Sequence, residues 1–249
     1  MHSKLTIDHY TLAYQRQFGD ANTVIFCPGF NSSMEGNKAL ALESYCFDLG
    51  LEYIRFDYRG HGLSGGDFAD GTISAWLQDA LSIIDELASH DVILVGSSMG
   101  AWIALLAALA RPDNVTGLLL IACAADMTKY YPAKLADLQS QKDEKGRVYF
   151  SIDNRFDDAQ PYRIYQSLLD DGKQHLLLHK EIVLDIPVSL IHGKQDDVVS
   201  WQRSQELEAK LGSEDVDVNW IEDGDHRLSR PQDLAVLKKT LRKLVSDIR

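Results

Sequence analysis

Residues 92–110 constrain the fold more than any other stretch of the chain. They read Val92-Ile-Leu-Val-Gly-Ser-Ser-Met-Gly-Ala-Trp-Ile-Ala-Leu-Leu-Ala-Ala-Leu-Ala110. The opening apolar block suits a strand buried on both faces, as in a parallel sheet. The closing block is apolar all round and predicts a helix packed on every side. Five residues must turn the chain from one into the other, and Gly96 and Gly100 remove side chains where the two elements meet. The turn fits Gly-x-Ser-x-Gly. By composition alone this pattern arises in about one chain in ten of this length. The strand directly before it and the helix directly after it make it informative, because that context presents the Ser98 hydroxyl at the tip of a sharp bend. Ser97 is read as a structural hydroxyl.

The same alternation runs through the chain. Strands are predicted at Leu5–Ala13, Thr23–Cys27, Glu52–Asp57, Asp91–Gly96, Gly117–Cys123, Val188–His192 and Val216–Ile221. Between them, Ile73, Trp76, Leu77, Ala80, Leu81, Ile84, Leu87 and Ala88 recur at a 3.6-residue period, with Thr72 as N-cap. Ser200 is expected to cap a helix ending near Gly212. Pro231 is expected to open a last helix with an inner stripe of Leu234, Leu237, Leu241, Leu244 and Ile248. Strands alternating with helices predict an α/β fold, a mostly parallel central sheet with helices on both faces. Residues 126–185 break the rhythm. They are polar, rich in Tyr, Asp and Lys, and show no strand block. They read as a cap inserted into a single domain spanning 1–249, with Leu135–Lys142 as a possible helix.

Composition excludes several functions. Lys and Arg number 25 against 37 Asp and Glu, a net charge of −12. Such a chain repels phosphate backbones and anionic membrane surfaces, so no nucleic-acid partner is expected. The longest apolar run, Gly100–Ala110, is too short to span a bilayer, so no stable membrane insertion is expected. Cys27, Cys46 and Cys123 are odd in number and widely spaced, which fits neither a disulfide framework nor a zinc motif. They are read as small buried hydrophobes. The N-terminus carries no apolar signal core and no Arg-rich transit segment, giving a cytoplasmic expectation.

A serine nucleophile needs a base, and the base an orienting acid. After such a turn the acid and then the histidine follow in chain order. His226 lies in Glu222-Asp-Gly-Asp-His-Arg, a turn-rich loop after a predicted strand, where an open α/β sheet places its functional groups. His192 ends a strand and is read as packed and structural. His175 and His179 fall in the cap. The acid belongs to Lys194-Gln-Asp-Asp-Val-Val, where Asp196 is preferred to Asp197. Two backbone N–H groups are needed for the oxyanion. Met99, after the serine, supplies one, and Phe30, in Pro28-Gly-Phe-Asn-Ser, supplies the other. Arg59-Gly-His-Gly-Leu-Ser-Gly-Gly66 lacks the lysine of a phosphate loop and reads as a tight connection, with His61 structural.

Together the Pro28-Gly-Phe loop, Phe56-Asp-Tyr-Arg-Gly-His-Gly, the Ser98 turn, His192-Gly-Lys-Gln-Asp-Asp-Val-Val and Asp225-His226 resemble the α/β-hydrolase superfamily over nearly the whole chain. The runs Gly36-Asn-Lys-Ala-Leu-Ala, Ala122-Cys-Ala-Ala-Asp, Asp215-Val-Asp-Val and Asp225-His-Arg are similar to its mitochondrial abhydrolase branch of acyl-protein (palmitoyl) thioesterases and acyl-glucuronide esterases. The resemblance implies a serine hydrolase of carboxylic esters or thioesters with Ser98, Asp196 and His226 as triad, acting on a small-molecule ester or acyl-thioester without metal or cofactor. Peptide or amide hydrolysis, C–C bond hydrolysis and non-catalytic binding on the same fold are the alternatives.

Overall fold

Side chains of the apolar blocks alternate between two faces of one sheet. The computed structural model describes residues 2–7, 9–153 and 161–248. Val24, Phe26, Ile93, Val95, Leu119 and Ile121 enter one core, while Ile25, Cys27, Val92, Leu94, Leu118 and Leu120 enter the other. A continuous run of β-formers is therefore buried on both sides, the signature of a sheet sandwiched between helices.

The sheet contains β1 (Ser3–Ile7), β2 (Tyr10–Gln17), β3 (Ala21–Cys27), β4 (Leu51–Phe56), β5 (Val92–Ser97), β6 (Val115–Ile121), β10 (Val188–Gly193) and β11 (Val216–Ile221). Their order is β1-β2-β4-β3-β5-β6-β10-β11. The pairs β1/β2 and β2/β4 are antiparallel, and the strands from β4 to β11 run parallel. Helices α1 (Asn37–Asp48) and α7 (Pro231–Asp247) cover one face, burying Leu42, Cys46, Leu237, Leu241 and Leu244. Helices α2 (Ile73–Leu87) and α3 (Met99–Ala110) cover the other, burying Ile73, Trp76, Ile84, Trp102 and Leu105. The predicted α/β architecture is the one observed.

Strand order locates the site. From β3 the chain crosses through α1 to β4 on one side. From β5 it crosses through α3 to β6 on the other. The two connections diverge and leave a crevice beyond the carboxyl ends of β3 and β5, the usual place for ligand binding in open α/β sheets.

Three expectations need correction. Leu5–Ala13 is not one strand but a hairpin, with Leu5 opposite Leu12 and Ile7 opposite Tyr10. The polar pair Asp8-His9 interrupts the apolar alternation between Ile7 and Tyr10, but no Gly or Asn-Gly marks the turn. Residues 126–185 do contain strands. Between β6 and β10 the chain forms α4 (Met127–Leu135), a three-stranded antiparallel sheet of β7 (Gln141–Lys142), β8 (Val148–Ile152) and β9 (Tyr162–Tyr165), and α5 (Gln166–Gly172). Leu135–Lys142 is therefore not a helix. Helix α6 (Gln202–Glu208) has Trp201, not Ser200, at its N-cap, and the Ser200 hydroxyl turns to the Gln202 side chain.

Thr72 does cap α2, its Oγ1 accepting from Ala75 N at 3.1 Å. Thr72→Ala is expected to cost about 1 kcal/mol, or about 2–4 °C in Tm for a chain of this size. Urea unfolding and a thermal melt check both values.

Candidate active site

Ser98 sits at the end of β5 with φ +56° and ψ −118°, a left-handed setting rare for a residue with a side chain. Surrounding contacts hold it there. Its N–H donates to Ile121 O at 2.8 Å, and its carbonyl accepts from Ala101 N and Ala124 N, both at 3.1 Å. The two glycines explain why the turn can close. A Cβ on Gly96 would lie 2.4 Å from Gly100 O, and one on Gly100 would lie 2.1 Å from Cys27 O. Both contacts are with backbone and neither can give way.

The residues singled out in sequence come together here. His226 Nε2 is 3.1 Å from Ser98 Oγ, and His226 Nδ1 is 2.7 Å from Asp196 Oδ2. Asp196, the one in contact with His226, is buried, while Asp197 is exposed. The Asp196 carboxylate also accepts from Val198 N at 2.9 Å and Val199 N at 2.8 Å through Oδ1. Burial opposes its charge, but the bonds from His192, His226 and Val199 N and the nearby His226 hold the carboxyl well below the usual carboxylate range.

The other histidines separate cleanly. His175 bonds through Nε2 to Ser74 Oγ of α2 at 2.6 Å, and His179 is exposed. His192 is fully buried, as expected of a packed residue, and its ring reaches Asp196. Cys27, Cys46 and Cys123 are buried free thiols, each pushed up to about 12 by burial, which suits hydrophobic filling and not nucleophilic attack.

Phe30 and Ser98 share two cavities on either side of the serine. One, of about 270 Å³, is lined by Phe30, Met127, Tyr130, Tyr131, Tyr162, Val198, Val199 and His226, among others. The other, of about 310 Å³, is more polar and includes Asn31, Ser32, Ser33, Asn37, Lys38, Arg227 and Ser229. Of the aromatics of the 126–185 segment, Tyr130, Tyr131 and Tyr162 line the first cavity. Tyr149 packs with Tyr165, and Phe150 packs with Leu135 and Ile164. A larger open groove of about 660 Å³ lies at the amino ends of β6, β10 and β11 and contains none of the candidate residues.

Two supports go beyond the sequence reading, which gave His61 a structural role but no partner and gave Lys38 none. Asn31 N, next to Phe30, donates to His61 Nε2 at 3.1 Å, while His61 Nδ1 lies 3.2 Å from Arg59 O. Arg59 is itself anchored on buried Asp79 of α2. His61 thus steadies the Phe30 loop from the glycine-rich connection, and its only sequence signal was its place between Gly60 and Gly62. Lys38 of α1 donates to Arg227 O and ties α1 to the His226 loop. Burial and the neighbouring Arg227 push its ammonium down to about 8.

Comparison with known proteins identifies the family. The family model described as the alpha/beta hydrolase family matches residues 24–237. The chain belongs to the alpha/beta hydrolase family. It is 40% identical over 238 residues to the mouse protein named mitochondrial palmitoyl-protein thioesterase ABHD10, covering 95% of this chain and 80% of that one. The human protein of the same name is 38% identical over 239 residues, covering 95% and 77%. The solved structure of mouse alpha/beta hydrolase domain-containing protein 10 superposes with a TM-score of 0.89 at 37% identity, covering 100% of both chains. The cytoplasmic expectation is corrected by these findings, since both relatives are named as mitochondrial. The pattern of the first residues does not report location, and the similarity to these relatives lies in the body of the chain. Among the described residues no helix is long and apolar enough to cross a membrane.

Burial lowers the His61 pKa below the usual imidazole value, and the ring accepts at Nε2 as a neutral group. The unfolded chain binds this proton near pH 6.5. The stabilisation is therefore present above about pH 6.5 and is lost as pH falls through the folded-state value. The urea-unfolding gap between wild type and His61→Phe is expected to be wide at pH 7.5 and narrower at pH 5.5. A constant gap would assign His61 to packing alone.

Proposed function

We propose that this hydrolase cleaves acyl thioesters and carboxylic esters through a Ser98–His226–Asp196 triad and an acyl-enzyme. The observation that carries the reading is the continuous hydrogen-bond line from Ser98 Oγ through the His226 ring to Asp196 Oδ2, with Ser98 on a left-handed turn.

His226 Nε2 removes the Ser98 proton as Oγ attacks the acyl carbonyl carbon. The N–H groups of Phe30 and Met99 receive the oxyanion, one from the loop after β3 and one from the first residue of α3. Asp196 remains ionised, fixes the Nδ1–H tautomer and stabilises the imidazolium. His226 then delivers the proton to the leaving thiol or alcohol. Water repeats the sequence on the acyl-enzyme and releases the acid and Ser98. The chain's own residues supply every proton transfer.

The cavities suit the two halves of such a substrate. Met127, Tyr130, Tyr131, Tyr162 and Val198 make the first apolar, fit for an acyl chain, and the second is polar, fit for a leaving group. On this reading residues 126–185 are a cap on a single domain, with α4 roofing the acyl side. The thioesterase names of the relatives support the thioester member of the substrate class.

Initial rates on p-nitrophenyl esters from acetyl to palmitoyl, and on matching acyl-cysteamine thioesters, test the proposal. Ser98→Ala is expected to lower kcat by about 10,000-fold or more. kcat/KM is expected to rise with chain length by up to about fourfold per methylene until the apolar cavity is filled. Undiminished rates in Ser98→Ala would overturn the triad, and turnover of anilides but not esters would replace the substrate class with amides.

A further inference from the structure

His192 carries an unusual load for a strand residue. It lies on β10, entirely shielded from solvent, four residues before Asp196. Its Nε2 stands 3.0 Å from Asp196 Oδ2 and 3.0 Å from Val199 O. Its Nδ1 stands 2.7 Å from the Oγ of Ser204, itself buried on α6. An ionised carboxylate and a carbonyl are acceptors only, so Nε2 must carry the proton. Nδ1 is then the acceptor, and the Ser204 hydroxyl donates to it. The tautomer is fixed by its surroundings.

Asp196 now has four donors for the four lone-pair positions of its two oxygens. Val198 N and Val199 N fill Oδ1, and His226 Nδ1 and His192 Nε2 share Oδ2. The oxygen that holds the candidate base is thus the one His192 also grips. A second donor on Oδ2 keeps the carboxylate plane from rotating. It also draws electron density from the oxygen, which weakens the pull of Asp196 on the His226 proton.

We propose that His192 is a positioning residue for catalysis, which, through Asp196 Oδ2, aims the His226 ring at Ser98 and sets the basicity of its free nitrogen. The proposal rests on the triad reading above and adds a fourth member acting through the acid. Its sign follows from the geometry. Without the His192 donor, Asp196 pulls harder on the His226 proton and stabilises the imidazolium, so His226 must be deprotonated at higher pH. Asp196 faces the His226 ring, and the loop beside it meets Lys38 of α1, whose own charged neighbours are Arg227, Asp225 and Asp233 of α7. Substitution at His192 leaves them all in place.

The test is the pH profile of kcat/KM on a p-nitrophenyl ester for wild type, His192→Phe, His192→Gln, Ser204→Ala and Ser98→Ala, with a melting curve for each. His192→Phe fills the space without a donor. It is expected to lose about 10- to 100-fold in kcat with KM nearly unchanged, and its acidic limb is expected to move up by on the order of half a unit. His192→Gln restores an N–H near Nε2 and is expected to recover most of the rate and return the limb. Ser204→Ala removes the hydroxyl that fixes the tautomer, and a smaller change in the same direction is expected. Should His192→Phe fail to fold, Ser204→Ala carries the test. An acidic limb fixed at the wild-type position in His192→Phe and Ser204→Ala, or rates that fall only with the folded fraction, overturn the proposal. Activity retained by Ser98→Ala would instead overturn the triad on which it rests.

Discussion

The backbone of one residue organises this molecule. Ser98 is held at positive φ, a setting that costs on the order of 1–3 kcal/mol and persists only where its surroundings over-determine it. Here they do so through the Ile121, Ala101 and Ala124 hydrogen bonds and through two glycines pressed against backbone. The strain is supported by the most buried elements of the chain. On one side β5 is paired in the middle of the sheet, and on the other α3 is apolar around its whole circumference. Rigid elements aim the serine side chain, so its direction does not depend on a loop.

The groups that meet Ser98 come from three other connections at the same end of the sheet. Each is tied by polar contacts. His61 and Asp79 brace the stretch beside Phe30, His192 and two backbone N–H groups brace Asp196, and Lys38 holds a carbonyl next to His226. A hydrogen bond to a charged group is worth about 1.5–3 kcal/mol, and a buried group left unpaired costs a comparable amount. The supports therefore fix geometry more than they add net stability. They hold the imidazole within reach of both Ser98 and Asp196 without a separate ordering step.

Much of this was legible in the residues. Ser98 and Asp196 each lie just after a strand buried on both faces, and His226 follows the half-buried edge strand β11, so one parallel sheet brings the three carboxyl ends together. Asp196 and Asp197 were separable by the logic that a partner for imidazole must be buried. The hairpin of β1 and β2 was missed because its mark in the sequence is slight: the polar pair Asp8-His9 shifts the apolar alternation by one residue, with no Gly to signal a turn. The elements of 126–185 were missed for a different reason. β8 and β9 are short and only partly buried, and Pro132 sits inside α4 where helix chemistry disfavours it. Tertiary packing on Phe30, Leu135 and Ile164 decides that segment, and local pattern does not. The role of His61 is also a tertiary fact, since its partner Asn31 lies 30 residues away.

On the proposed mechanism Ser98 is the nucleophile, activated by His226 and Asp196. Intact-mass spectrometry after brief treatment with a fluorophosphonate, followed by peptide mapping, reads this directly. One adduct per chain is expected, confined to Ser98, with labelling strongly slowed in His226→Ala and abolished in Ser98→Ala. An adduct on Ser97 or elsewhere, or labelling of Ser98 at the same rate without His226, would contradict the account.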